Sequence, residues 1–282
     1  MPRNVRIASV NVNGIRAAVR KGMSDWLDAA DVDVLTLQEV RAEASDLVAA
    51  LPGWHVVNDE ALAKGRAGVA IATREPLDIW RVELGDADLD SPAHDFRGRW
   101  VEADIDVDGT PVTVVSAYVF TGEDGTEKQV AKYAFLDAMT TRMPQFGEHA
   151  LITGDLNVGH RELDIRNWKG NVKKAGFLPR ERAYFDRFTG AAGEQIVGVD
   201  GSTGPGLGWV DVGRRWAGEV DGPYTWWSNR GKAFDTDTGW RIDYHLATPA
   251  LAERVVDYRV VRARSWDTRW SDHAPVVADY AF

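Results

Sequence analysis

Ala150-Leu-Ile-Thr-Gly-Asp-Leu-Asn157, running on into Val158-Gly-His160, is the stretch on which the reading of this chain turns. A short apolar run ends in Gly154, and two polar side chains follow it. If residues 150–154 form a buried strand, Asp155 and Asn157 stand two apart at its C-terminal end and point the same way. A carboxylate beside a carboxamide can hold a water and a metal-bound oxygen together, which suits hydrolysis of a phosphate ester. Taken alone, Gly-Asp-Leu-Asn is equally good turn chemistry. The two readings are separated by the other apolar runs of the chain, which end in the same way.

Upstream, Arg6-Ile-Ala-Ser-Val-Asn-Val-Asn13 reads as a strand ending in Asn11 and Asn13, broken by Gly14. Residues 24–30 read as a short helix and residues 32–38 as a strand with Glu39 at its end. Strand, helix, strand is the pattern of an α/β layer. Residues 68–73 and 100–107 read as further strands. Asp108-Gly109 is a hairpin signal, and the return strand 111–117 closes on Tyr118. Residues 128–143 have helical spacing. Downstream, residues 167–171 and 175–179 read as loop, and 180–188 as a helix. The glycine-rich stretch 189–208 lacks apolar periodicity and reads as a mobile surface loop. Tyr224-Thr-Trp-Trp227 reads as a short aromatic strand. Residues 239–246 read as a clearer one, with Ile242, Tyr244 and Leu246 on one face and Asp243 and His245 on the other. Trp270-Ser-Asp-His-Ala-Pro275 precedes a last strand, 276–280. Helices interspersed with hairpins argue for mixed sheets covered by helices. No linker divides the chain, so a single domain over 1–282 is expected.

Composition narrows the class. The 282 residues are 44% apolar, enough for a sizeable core. No apolar run approaches the length of a membrane span, and no charged-then-apolar leader is visible, so no membrane association is expected. The absence of cysteine rules out disulfides and thiolate metal sites and fits a cytoplasmic setting. A net charge of −10 argues against nonspecific coating of nucleic acid. Yet Arg161 to Arg187 carries eight Lys/Arg against four Asp/Glu, a local basic face suited to phosphates. Asn11, Glu39, Tyr118, Asp155, Asn157, Asp243, Asp272 and His273 thus gather at strand ends. The carboxylates suit a hard cation such as Mg²⁺. An Asp-His pair, with a second Asp to orient the ring, suits acid–base work.

At these residues the chain resembles the endonuclease/exonuclease/phosphatase superfamily, and within it the exonuclease III type of apurinic/apyrimidinic DNA repair nuclease. The matching pieces are Asn11-Val-Asn-Gly-Ile-Arg-Ala17, Leu37-Gln-Glu-Val40, Gly154-Asp-Leu-Asn-Val158, residues 164–171 and 175–182, Gly239-Trp-Arg-Ile-Asp-Tyr244 and Ser271-Asp-His-Ala-Pro275. They span nearly the whole chain in the family's order. The resemblance implies an α/β four-layer sandwich of two packed mixed β-sheets flanked by helices, with the site at one rim. It implies Glu39 as principal Mg²⁺ ligand (Mn²⁺ as an alternative), with Asn11 and Asp272 nearby and Asp155 and Asn157 at a second metal position if there is one. By the same resemblance Asp155 activates water or protonates the leaving oxygen, and Asn157 holds the water. His273 donates to the phosphate while Asp243 fixes its tautomer, and Tyr118 contacts developing charge. Trp226, Trp240 and Ile242 match a pocket for a flipped abasic sugar. Asn167, Asn171 and Lys174 match backbone contacts to DNA. The implied partner is double-stranded DNA with abasic sites or 3′ ends, met by a monomer. Phe120 and Thr121 depart from the usual Pro and Asn or Gln, and Asn13 stands where some relatives carry an acidic ligand. Rival readings are a phosphatase or lipid phosphodiesterase of the superfamily, and a non-catalytic nucleic-acid-binding protein on the same fold.

Overall fold

The computed structural model describes residues 3–77, 79–82, 84 and 95–282. In chain order the elements are β1 (Asn4–Asn11), α1 (Ile15–Arg20), α2 (Met23–Ala30), β2 (Val34–Gln38), α3 (Ala44–Ala50), β3 (His55–Asp59), β4 (Val69–Thr73), β5 (Ile79–Arg81), β6 (Trp100–Val107), β7 (Thr110–Tyr118) and α4 (Glu127–Arg142). Then come β8 (Ala150–Asp155), α5 (Pro179–Thr189), β9 (Gln195–Val197), β10 (Thr203–Pro205), β11 (Val210–Asp211), α6 (Val212–Ala217), β12 (Asp243–Ala247), α7 (Pro249–Ala252), β13 (Val255–Val260) and β14 (Val276–Ala281). Two six-stranded sheets result, in the orders β13-β14-β1-β2-β4-β3 and β11-β12-β8-β7-β6-β5. Each has one parallel pair at its centre, β1 with β2 and β7 with β8, and is otherwise antiparallel.

The sheets pack face to face over Val5, Ile7, Val34, Ile71, Val101, Val114, Leu151 and Tyr280. Outside the first sheet, Leu35 and Leu37 meet Ile15, Leu27 and Leu47 of the first three helices. Outside the second, Val115, Ile152 and Leu246 meet Phe135 and Met139 of α4 and Phe185 and Phe188 of α5. This is the expected four-layer sandwich. Buried residues on both faces explain why the central strands read as continuous apolar runs.

The faces turned toward the other sheet change character along their length. On β1 they run Val5, Ile7, Ser9, Asn11; on β2, Val34, Thr36, Gln38; on β7, Val112, Val114, Ser116, Tyr118; on β8, Leu151, Thr153, Asp155. Burying these polar groups is tolerable because they bond across the gap. Thr36 Oγ1 lies 2.7 Å from Thr153 Oγ1, and Gln38 Nε2 donates to Ser116 Oγ at 2.9 Å. The sandwich is therefore apolar at one end and hydrogen-bonded at the other, and the polar end is the rim that carries the site.

Local chemistry explains the boundaries that were legible. Asp108 (φ 51°) and Gly109 (φ 82°) make the two-residue turn between β6 and β7. Thr126 caps α4, its hydroxyl accepting from Lys128 N. Pro179 opens α5 and the Glu181 carboxylate accepts from Leu178 N at 2.9 Å.

Three expectations are corrected. The 189–208 stretch is not an unstructured surface loop: β9 and β10 pair within it, and Leu207 and Gly208 bond back to Arg187 and Gly190 of α5 and its cap. Main-chain hydrogen bonds hold it, so no apolar periodicity marks it. Tyr224–Trp227 is not a strand; Trp226 makes only isolated bridges to Trp240 and His273. The strand expected from residue 239 begins at Asp243, because Trp240 is occupied by bridges to Ile165 and Trp226.

Candidate active site

Strand direction brings the polar ends to one place. The parallel pairs deliver Asn11, Glu39, Tyr118 and Asp155 at C-terminal ends, while antiparallel β12 and β14 offer their beginnings, with Asp243 and the preceding Asp272–His273. Register sets Asp155 directly between Tyr118 on β7 and Asp243 on β12. The chain reaches this rim in strained form. Asn13 (φ 47°), Glu39 (φ 50°) and Asn157 (φ 51°) are all left-handed, a conformation that costs non-glycine residues about 1 kcal/mol or more each. Gly154, at φ 133°, is required: a Cβ there would lie 2.0 Å from the Ala117 carbonyl oxygen.

Hydrogen bonds join these groups into one network. Asn11 Nδ2 donates to Glu39 Oε1 and to Asp155 Oδ2, both at 2.9 Å. Tyr118 donates its hydroxyl to Glu39 Oε1 at 2.7 Å. Asp243 accepts from His273 Nδ1 at 2.9 Å, which leaves Nε2 facing Asp155 Oδ2 across 3.8 Å. Ser271 Oγ ties the segment before β14 to the end of β1, donating to the Asn11 carbonyl at 2.6 Å and accepting from His273 N. Burial pushes the Asp155 carboxyl well above the usual range; His273 opposes this, and the charges of Asp243 and Glu39 add to it. Burial works against a charged His273, but Asp243 and then Asp155 overcome it and hold the imidazolium well above its ordinary range.

Two placements differ from the expected picture. The strand ends at Asp155, so the alternation that aligned Asn157 with it stops there. Asn157 N donates to Asp155 Oδ1 at 3.0 Å, while its amide turns to the Val119 carbonyl at 2.9 Å. Asp155, Asp243 and His273 form the compact group, with ligand atoms within 4.8 Å of one another. Glu39 and Asp272 stand outside that group, linked by a chain of amides. Asn13 N donates to Asn11 Oδ1 at 3.0 Å, and Asn13 Nδ2 donates to Asp272 Oδ1 at 2.9 Å. Asp272 Oδ2 accepts from Trp226 Nε1 at 3.1 Å. Burial alone would raise the Asp272 carboxyl, but His273, Asn13 and Trp226 hold it below the usual range.

Oxygen donors dominate this rim, and Glu39 Oε2 is buried without a hydrogen-bond donor, with only the Arg41 guanidinium ion-paired to it. An oxygen-rich site whose carboxylate oxygen takes a cation as its partner fits a hard divalent cation. A cation within the Asp155–Asp243–His273 group would compete with the hydrogen bond between Asp243 and His273.

Trp226 and Trp240 are half-buried and meet edge to face at 6.1 Å, with Trp226 6.4 Å from the His273 ring; Ile242 is buried between their bridges and Asp243. Gly176 packs against Trp240, with room for no Cβ. Asn167 and Lys174 are exposed, and Asn171 spends its amide on the Asn167 carbonyl at 2.8 Å.

Sequence reasoning missed two cations. Arg41 pairs with Glu39. Arg99 donates to the Tyr118 carbonyl at 3.2 Å and lies over the Phe120 ring at 3.6 Å. It sits just before β6, where no apolar run ends, so no strand-end signal marked it. Phe120 thus supplies a platform for a cation where the family pattern has proline.

Comparison with known proteins places the sequence and the fold. Residues 8–273 match the Endonuclease/Exonuclease/phosphatase family. The chain is 31% identical over 276 residues to an exodeoxyribonuclease of Bacillus subtilis (strain 168), covering 96% of this chain and 98% of that protein. An AP endonuclease from Archaeoglobus fulgidus superposes with a TM-score of 0.80 at 29% identity, over 98% of this chain and 99% of that one. A 3′ phosphatase from Neisseria, bound to product DNA hairpin, superposes with a TM-score of 0.79 at 26% identity, over 99% of this chain and 100% of that one. With fold and sequence in accord, the chain belongs to the endonuclease/exonuclease/phosphatase family, as an exonuclease III-type apurinic/apyrimidinic endonuclease.

Proposed function

We propose that this hydrolytic DNA repair nuclease cuts phosphodiesters beside abasic sites and at 3′ ends of duplex DNA, using the Asp155–His273–Asp243 group with a divalent cation, Mg²⁺ or Mn²⁺. The observation that carries the proposal is the pair Asp155 and His273 facing one another across 3.8 Å, each backed by a fixed partner. A phosphate oxygen seated there meets a charged N–H donor on one side and a proton-exchanging carboxyl on the other. Asp243 keeps the proton on His273 Nδ1, so Nε2 is presented to the phosphate. Asp155, raised by burial, takes a proton from water or gives one to the leaving oxygen. Asn157 fixes Asp155 through its backbone N–H. Glu39, with Asn11 and with Asp272 reached through Asn13, would hold the cation. That cation supplies positive charge against the charge developing on the phosphate and makes water more acidic.

Trp226, Trp240 and Ile242 are assigned to an extruded abasic sugar, and Asn167, Asn171 and Lys174 to the DNA backbone. The basic segment beside the Trp240 bridge supports DNA over a lipid or small phosphate ester. No described helix is long and apolar enough to cross a membrane; a cytoplasmic monomer is the setting proposed. The test is cleavage of three labelled duplexes (one abasic, one intact and blunt, one ending in a 3′-phosphate) with Mg²⁺ and with EDTA. Cutting of the abasic and 3′-end substrates that EDTA abolishes is expected. Cutting that survives EDTA would remove the cation from the mechanism, and no cutting of any duplex would remove DNA as the substrate.

A further inference from the structure

Lys132 lies within α4, on a face that the mechanism above does not use, and is fully buried. Its ammonium meets three oxygens. It donates to the Asn157 carbonyl at 2.8 Å and the Thr121 carbonyl at 3.2 Å, and pairs with Glu181 Oε1 at 2.7 Å. Those oxygens belong to the loop after β8, the loop after β7 and the first turn of α5. Glu181 is itself fixed, accepting from Gln129 Nε2 and from Leu178 N, both at 2.9 Å. Gly122, at φ 77°, lies close enough that a Cβ would meet Gln129 Oε1 at 2.4 Å and Lys132 Cδ at 2.9 Å. One cation therefore closes both loops that border Asp155 onto the helical layer.

Asn157 needs such a hold. Its left-handed backbone is strained, and through that backbone its N–H reaches Asp155 Oδ1. A carbonyl anchored on the far side of the same residue fixes the following peptide, and so holds the left-handed torsions at the Asn157 Cα that direct this N–H. We propose that Lys132 is a positioning residue for the reaction: its ammonium locks the Asn157 and Thr121 carbonyls, and so aims Asn157 at Asp155. The inference rests on the proposed nuclease reading.

Removing Lys132 alone would strand the Glu181 charge, so the comparison uses Glu181→Gln as its reference. That variant strands the ammonium and is expected to melt below wild type, but it keeps the lysine donors to both carbonyls and is expected to retain wild-type kcat. Adding Lys132→Met should leave the melting temperature close to that of Glu181→Gln and KM for DNA nearly unchanged. It should lower kcat about tenfold or more, since small misplacements at a reacting centre carry losses of that order. Combining it with Asp155→Asn should lower kcat no further than Asp155→Asn does, because Lys132 acts on the Asn157 backbone only to fix the Asp155 carboxylate. If the methionine variant does not fold, Lys132→Gln in the same background replaces it, being one atom shorter than lysine but still able to bond residue 181. A kcat equal to that of Glu181→Gln, or losses that multiply with Asp155→Asn, would overturn the inference alone. A wild-type protein that cuts no DNA would overturn the nuclease reading and this inference with it.

Discussion

His273 faces two carboxylates that act on it differently: Asp243 bonds its Nδ1, and Asp155 stands off from its Nε2. If the first is an orienting contact, His273→Ala, Asp243→Asn and the double variant should lose similar amounts of kcat, because residues acting as one unit are strongly non-additive. Losses that multiply in the double variant would show two independent roles. Glu39→Gln should weaken Mn²⁺ binding in calorimetry while the melting temperature stays put; unchanged affinity would move the cation away from Glu39. These residues were legible in the sequence because each is a polar group ending an apolar run. The aim of the Asn157 side chain was not, since it depends on a left-handed φ that no periodicity reports. Nor was the amide chain from Glu39 to Asp272 through Asn13, which only exists once β1, β2 and the 272 turn meet.

Between the basic segment and β12 lies a buried ionic hub. Arg241, fully buried, donates to Asp164 Oδ1 at 2.7 Å and to both oxygens of Asp211 at 2.9 and 2.7 Å, and Arg214 donates to Asp164 at 2.6 Å. The Arg241 N–H also bonds the Asp164 carbonyl, and Arg166 N bonds the Gly239 carbonyl, so the hub fastens the start of the basic segment to the run carrying Trp240. Arg241→Met would leave two buried carboxylates short of a partner, and a loss of about 3–5 kcal/mol is expected in urea unfolding. A loss under about 1 kcal/mol, the worth of an exposed pair, would mean the hub is solvated in solution. The sequence marked both segments as motifs but not their ionic link, because ion pairs leave no trace in hydrophobic spacing. The 195–205 hairpin escaped for the related reason that backbone bonds and glycines hold it.

Across the whole molecule, the inward faces of the central strands grade from apolar to polar, and the polar half includes His245, fully buried between the sheets. Burial pushes its pKa down to about 3. The folded protein therefore keeps it neutral while the unfolded chain takes up a proton below the ordinary 6.5, so this group lowers stability as pH falls from 6.5 toward 3. Asp164, held down to about 2 against burial by Arg241 and Arg214, adds a loss that sets in lower, as pH falls through its ordinary 3.8 toward 2. Stability of the wild type minus that of His245→Asn should then fall by about 1.4 kcal/mol per pH unit below 6.5. A flat difference would show that His245 is not kept neutral. Fold class was readable from alternating strand and helix signals, and the rim from the strand ends. The grading of the inner faces required knowing which strands are neighbours. We propose above all that Asp155, held between Asn11, Asn157 and His273, exchanges the proton in phosphodiester cleavage. The most direct measurement is the single-turnover rate of Asp155→Asn on an abasic duplex with Mg²⁺, beside a thermal melt. A rate about 10²-fold or more below wild type, with an intact melt, is the predicted result; a rate within about threefold of wild type would contradict the claim.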